Sequence, residues 1–219
     1  MLPTPLTPQD AAAPPVVEVR PAVPGELEVV TDVLATAFAA DPVMATFTGT
    51  GPERHRRTRG FFGAVLASGA LRHGAVDVAV GPDGRVLGAA AWEAPGSAGH
   101  LPAQVAQLPT FWKALGWRGI RRALANQAVL ARHRPVPEHW YLTAIGVGDG
   151  ARGLGVGSTL LASRLRQVDA AGAAAYLEAS TPRSRTLYES FGFRFLATVE
   201  ALGTVTGPAS MWRPARPLA

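Results

Sequence analysis

Five glycines fall within ten residues, at Gly148, Gly150, Gly153, Gly155 and Gly157, with Arg152 among them and Ser158 directly after. Tyr141 to Val147, just ahead, alternate large, branched and small side chains as a strand does. From about Gly155 the apolar positions Val156, Leu160, Leu161, Leu165 and Val168 fall at helical spacing. A strand therefore feeds a glycine loop that opens a helix. There, unpaired N–H groups and the positive dipole end converge, and missing side chains let an anion come close. The expected ligand is a phosphate or pyrophosphate. The P-loop reading fails, because Ser158 follows Gly157 with no Lys between them. Gly148, Gly150 and Gly153 do spell the dinucleotide G-x-G-x-x-G, with Glu178 some 25 residues on. That reading leaves Gly155 and Gly157 unused, and only about seventy residues follow, too few for the rest of a doubly wound sheet.

Taken as Arg-x-x-Gly-x-Gly, Arg152, Gly155 and Gly157 resemble the acetyl-coenzyme A loop of the GNAT N-acetyltransferase superfamily. The run from Leu177 through Glu178 and Thr181 to Tyr188, Gly192 and Phe193 is similar to that superfamily's second signature, a strand, a short helix and Tyr-x-x-x-Gly-Phe. Two motifs in this order are more specific than either alone. Ala37 to Asp41, His133 to Leu142 and Ser210 to Arg213 further resemble puromycin N-acetyltransferase-like actinobacterial members, loosely, over about residues 18 to 214.

The resemblance implies a mixed α/β fold: a twisted, mostly antiparallel sheet of about six to seven strands flanked by helices, splayed where acetyl-CoA enters. Backbone groups at Ile145 and Val147 would then bond the pantetheine arm. Arg152, Gly153, Leu154, Gly155, Val156, Gly157 and Ser158 would hold the pyrophosphate, with Thr181 and Arg185, beside Arg183, reaching the coenzyme from the next helix. Tyr188 matches the tyrosine that protonates the departing thiolate. Glu178 is the expected general base, with Glu93 and His139 as weaker candidates and ordered water as the alternative to any single base. Trp92, Trp112, Trp140 and Tyr141 are candidates for an aromatic acceptor pocket. The activity implied is direct acetyl transfer from acetyl-CoA to a small-molecule amine, an antibiotic or aminonucleoside among the options. The rivals are a non-catalytic acyl-CoA sensor and a dinucleotide oxidoreductase.

These residues need elements to position them. Residues 1 to 15, with five Pro, are expected to be a disordered tail, and residues 16 to 219 one domain. Val16 to Arg20 reads as a strand, Pro24 to Ala40 as a helix ended by Asp41-Pro42, and Pro52 to Leu71 as a helix with a basic face, joined by a turn-rich link. Ala75 to Val80 and Val86 to Trp92 flank the hairpin turn Gly81 to Gly84. Glu93 to Pro109 is expected as a loop, and Phe111 to Arg132 as a helix weakened by Gly116 and Gly119. Ala174 to Ala179 is the next strand. Thr181 is a good N-cap before Pro182, and Phe193 to Leu202 and Ser210 to Arg213 close the sheet.

The 219 residues are 47% hydrophobic and 17% charged, as in a soluble globular domain. No cysteine is present, which excludes disulfides, thiolate metal sites and a thiol acyl-enzyme. No metal site is expected. The net charge of +5 is carried by Arg and Lys113 and spread along the chain, so the phosphates of a coenzyme are a sufficient use for it. No apolar run is long enough to span a membrane and no secretory leader is visible, so the expectation is a cytoplasmic monomer or homodimer without nucleic-acid or membrane partners.

Overall fold

The computed structural model describes residues 17–70, 75–96, 106–200, 202, 204 and 207–216; the expected tail at residues 1–15 lies outside them. Seven strands form one sheet in the order β1-β2-β3-β4-β5-β7-β6. They are β1 (Glu18–Pro21), β2 (Val76–Val80), β3 (Val86–Glu93), β4 (His139–Val147), β5 (Ala174–Ala179), β6 (Arg194–Thr198) and β7 (Ala209–Arg213). Each neighbouring pair is antiparallel except β4 and β5, which run parallel and are joined through a helix, as a parallel crossover requires.

Alternation along β3 explains the two-sided core. Ala89 and Ala91 face one cluster with Val30, Leu34 and Phe62, while Ala90 and Trp92 face the other with Leu160, Leu161 and Leu165. The first cluster is covered by α1 (Leu27–Ala37), α2 (Pro42–Thr48), α3 (Arg54–Val65) and α4 (Leu108–His133). The second is covered by α5 (Val156–Ala170) and α6 (Pro182–Ser190). Gly146 on β4 is where α1 comes closest: a Cβ there would lie 2.6 Å from Ala37 Cβ, so any larger residue would push the helix off the sheet.

Several expectations need correcting. The first helix is shorter than expected, a 3-10 turn (Pro24–Glu26) followed by α1. The expected turn-rich link contains α2, because Asp41 starts a helix as well as following one: its Oδ1 accepts from Met44 N–H at 2.7 Å and Pro42 sits in the first turn. The second expected helix ends at Val65 and passes into a π-helical turn (Leu66–Ala70). Strand β3 reaches Glu93, so the expected loop begins later, and residues 97–105 of it lie outside the described residues. Helix α4 starts at Leu108 and is broken at Gly116, whose φ of 63° is not helical; Gly119 stays helical. Strand β6 is shorter than expected at both ends, Arg194–Thr198, while β7 starts one residue earlier than expected, at Ala209. The arginines of α3 are used internally: Arg54 and Arg57 donate to the carbonyls of Asp41 and Thr48, and Arg59 pairs with Glu28 and Asp32. Among the described residues no single helix is long and apolar enough to cross a membrane.

Candidate active site

The parallel pairing of β4 and β5 stops early. It runs from His139 opposite Ala174 to Leu142 opposite Leu177 and goes no further, although β4 continues to Val147 against β3 and β5 to Ala179 against β7. The cause is local. Ala91 pairs with Ala144 and Trp92 with Leu142, so Thr143 is an extra residue that bulges β4 as it leaves β5. Among the described residues the edge of β4 from Thr143 to Val147 therefore has no strand beside it on the β5 side, and Ile145 and Val147 lie on that edge.

Directly after this edge comes the glycine loop. Gly148 is followed by a 3-10 turn (Asp149–Ala151), and Gly155 at φ 78° is the N-cap of α5. The N–H groups of Ala151 and Leu154 turn back onto the carbonyls of Gly148 and Ala151. Those of Arg152, Gly153 and Gly155 meet no backbone acceptor among the described residues, and the first-turn amides of Val156, Gly157 and Ser158 are the ones a helix leaves unpaired. Positive φ at Gly153 and Gly155 turns successive amides the same way, and a Cβ on either would meet nothing within 4 Å. The loop is thus a bare, donor-rich concavity at a helix N-terminus, and the residues fit a pyrophosphate. Arg152 reaches Asp149 at 2.9 Å on the surface, Leu154 is exposed and Val156 is buried in the core beneath the loop. Gly157 backs onto Val147, where a Cβ would make an ordinary contact.

Between the diverging strands and helices α2, α3 and α4 lies a cavity of about 470 Å³. Its polar lining comprises Asp41, Glu93, Arg134, Tyr141, Thr143, Glu178, Ser180 and Tyr188, with Ser68 and Gln127 from the helices opposite. Glu178 Oε2 accepts from the Tyr141 hydroxyl at 2.8 Å, whereas Oε1 is shielded and has no partner among the described residues. Burial pushes the Glu178 carboxyl above the ordinary range, against the opposing pull of the Tyr141 hydroxyl, the Arg134 charge and the Tyr176 hydroxyl. The Arg134 guanidinium lies 3.6 Å over the Tyr141 ring and donates to Glu93 Oε2 at 3.2 Å, and the Thr143 hydroxyl reaches Glu93 Oε1 at 3.4 Å.

Tyr188 stands across from this network on α6. Thr181 caps α6 by accepting from Ser184 N–H at 3.2 Å, and Pro182 holds the first turn, which points the Tyr188 ring inward against Phe193. Its hydroxyl lines the cavity with no protein acceptor among the described residues, and burial, with a contribution from the Asp41 charge, raises it so that it stays protonated. The Asp41 carboxylate accepts from the Ser180 hydroxyl, tying the start of α2 to the end of β5.

Other expected site residues fall elsewhere. His139 lies at the far end of β4, bonded to Pro137 O at 2.6 Å and edge-on to the Tyr176 and Trp212 rings, outside the cavity lining; it is not a candidate base. Trp112 is exposed against Trp117, and Trp140 lies near Arg164 on the other side of the sheet, so of the expected aromatic pocket only Trp92 and Tyr141 line the cavity. Thr181 spends its hydroxyl on the cap, Arg183 is exposed, and Arg185 pairs with Glu189 at 2.8 Å beneath the Phe195 ring. Arg134, Asp41, Thr143 and Ser180 were not anticipated. No local pattern marks them, since their partners lie 41 to 139 residues away in sequence.

Comparison with known proteins agrees with this architecture. Residues 118–193 match the Acetyltransferase (GNAT) family. The structure is similar to a histone acetyltransferase HPA2 and related acetyltransferase from Corynebacterium glutamicum, at 28% identity and a TM-score of 0.71, over 93% of this chain and 98% of that one. It also shares its fold with polyamine N acetyltransferase from Drosophila melanogaster (21% identity, TM-score 0.58, 90% and 97% covered). A third likeness in fold is to arylalkylamine N-acetyltransferase 2 from Aedes aegypti (16%, 0.62, 91% and 99%).

Proposed function

We propose, for a chain whose fold is that of the GNAT acetyltransferases and whose family match and structural neighbours support a place in that superfamily, that it transfers an acetyl group from acetyl-CoA to the primary amine of a small molecule. The observation that carries the reading is the continuity of three features: unpaired amides at Gly153 and Gly155, the open edge at Ile145 and Val147, and a cavity holding Glu178 and Tyr188. The coenzyme, when bound, supplies an activated acetyl thioester. Arg152 to Ser158 grip its diphosphate, and the β4 edge orients the arm so that the acetyl group arrives between the strand ends.

Transfer forms a C–N bond from the amine to the acetyl carbon and breaks the C–S bond. Glu178 takes the proton that the amine must lose, and its raised pKa suits that work near neutrality. Oε1 is shielded as the carboxyl stands, so it is reached by turning the carboxyl about its last, soft torsion. Tyr188 gives a proton to the departing thiolate, a role that its protonated phenol fits. Residue resemblances at 37–41, 133–142 and 210–213 favour a puromycin-type place in the family, an antibiotic or aminonucleoside among the acceptors, and a cytoplasmic setting.

The test is release of free coenzyme thiol from acetyl-CoA by the full chain over a panel of amines. Release is expected with wild type, together with a turnover reduced by about 10²-fold in Tyr188→Phe at little change in acetyl-CoA affinity. Unchanged turnover in Tyr188→Phe at every pH would reject the acid role. Binding of acetyl-CoA without release on any amine would make the chain an acyl-CoA sensor instead.

A further inference from the structure

Polarity across the cavity is unevenly divided. The strands carry two carboxylates, Glu93 and Glu178, and beside them stand Asp41, which starts α2 and bonds Ser180 at the end of β5, and the Arg134 guanidinium. The helix side, from α2, α3 with its π-helical turn, and α4, is mostly apolar, with Phe47, Phe61, Phe111, Leu115, Ile120 and Leu130; its polar members are Gln127 and Ser68, and among the described residues it carries no charge. Phe61, Phe111 and Ile120 are only partly buried, so part of their apolar surface stays uncovered among the described residues. Phe61 packs against the rings of both Phe47 and Phe111, at 5.5 and 6.0 Å, which makes this side a continuous aromatic wall. A wall of this kind gains more from an apolar body than from a second charge, to which it offers ring faces but no carboxylate.

From this division, and resting on the acetyl-transfer reading above, we propose that the acceptor is a monoamine carrying one bulky apolar body. Its ammonium end sits toward Glu178 and Glu93, beside the thioester, and its apolar body lies against Phe61, Phe111 and Ile120. A diamine would have to set its second ammonium, stripped of water, against those rings, and an amino sugar would set most of its hydroxyls there, with only Gln127 and Ser68 to meet them. Both are disfavoured by the wall rather than by the reacting end. Phe111 is accordingly a specificity-determining residue.

Two measurements on the full chain test this. In the thiol-release assay, octylamine and phenylbutylamine should exceed putrescine and glucosamine in kcat/KM by about tenfold or more. Phe111→Ser should reduce that preference to a few-fold while leaving the KM for acetyl-CoA unchanged. Equal or better turnover of putrescine or glucosamine overturns the proposal and leaves acetyl transfer standing. Independently, saturation-transfer NMR should show phenylbutylamine binding to wild type and weaker binding to Phe111→Ser. Absence of binding to wild type overturns the proposal whatever the kinetics. Binding without thiol release from any amine supports the ligand class and overturns the transferase reading.

Discussion

Two carboxylates on opposite sides of the sheet, Asp77 buried and Glu178 half-buried against the cavity, are treated in opposite ways. Asp77 on β2 meets Arg164 of α5 through both oxygens, at 2.8 and 2.7 Å, and both side chains are almost fully enclosed. Glu178 on β5 has one oxygen bonded to Tyr141 and the other with no hydrogen bond among the described residues, the Tyr176 hydroxyl acting on the carboxyl more weakly, and Arg134 is held over the Tyr141 ring and bonded to Glu93. The first carboxylate is fully used by the fold. The second keeps a lone pair in reserve, an arrangement that costs stability and makes sense where a proton has to be received.

The largest effect expected from this contrast is on stability. Asp77→Ala leaves Arg164 buried without its bidentate partner and should cost about 3–5 kcal/mol in urea unfolding, with the pH dependence of turnover in the surviving folded protein unchanged. Glu178→Gln should do the reverse: kcat/KM falls about 10²-fold while the unfolding midpoint holds or rises. The sign follows from its raised pKa. A carboxyl that binds its proton more tightly when folded adds stability below the ordinary glutamate range, and that contribution is lost as pH rises through the raised value. Glu178→Gln should therefore flatten that loss, as well as remove the rise of kcat/KM with pH over the same window. A Glu178→Gln protein that unfolds more readily and turns over normally would reverse the comparison.

Smaller changes sharpen it. Gly155→Val should cost about 1–2 kcal/mol, since Gly155 sits in the left-handed region, and should weaken acetyl-CoA binding in calorimetry more than it weakens amine binding. Tyr141→Phe has the mildest expected effect. The Tyr141 hydrogen bond lowers the Glu178 pKa, so its removal should move the rise of kcat/KM to higher pH without abolishing it. A downward move would mean that Tyr141 holds the proton on Glu178 rather than steadying its charge.

How much of this was readable beforehand depended on range. The β4 strand, the glycine loop, the start of α5, the Thr181 cap and the inward Tyr188 are set by neighbours within a turn or two, and the chain spells them out. Asp41-Pro42 was legible too, but it was read only as a stop when the same two residues also start α2. What could not be read is what the fold brings together. Arg134 acquires its meaning from Glu93 and Tyr141, and Asp41 from Ser180. The tryptophans show the converse: aromatic character alone did not separate Trp92, enclosed beside the cavity, from Trp112, exposed on α4.

The central claim, that bare amides around Gly153 and Gly155 hold the diphosphate of a thioester carrier, is tested most directly by isothermal titration of the full chain with acetyl-CoA and, separately, with a nicotinamide dinucleotide. The account predicts stoichiometric acetyl-CoA binding that weakens in Gly155→Val, and none of the dinucleotide. Heat from the dinucleotide with none from acetyl-CoA would contradict it.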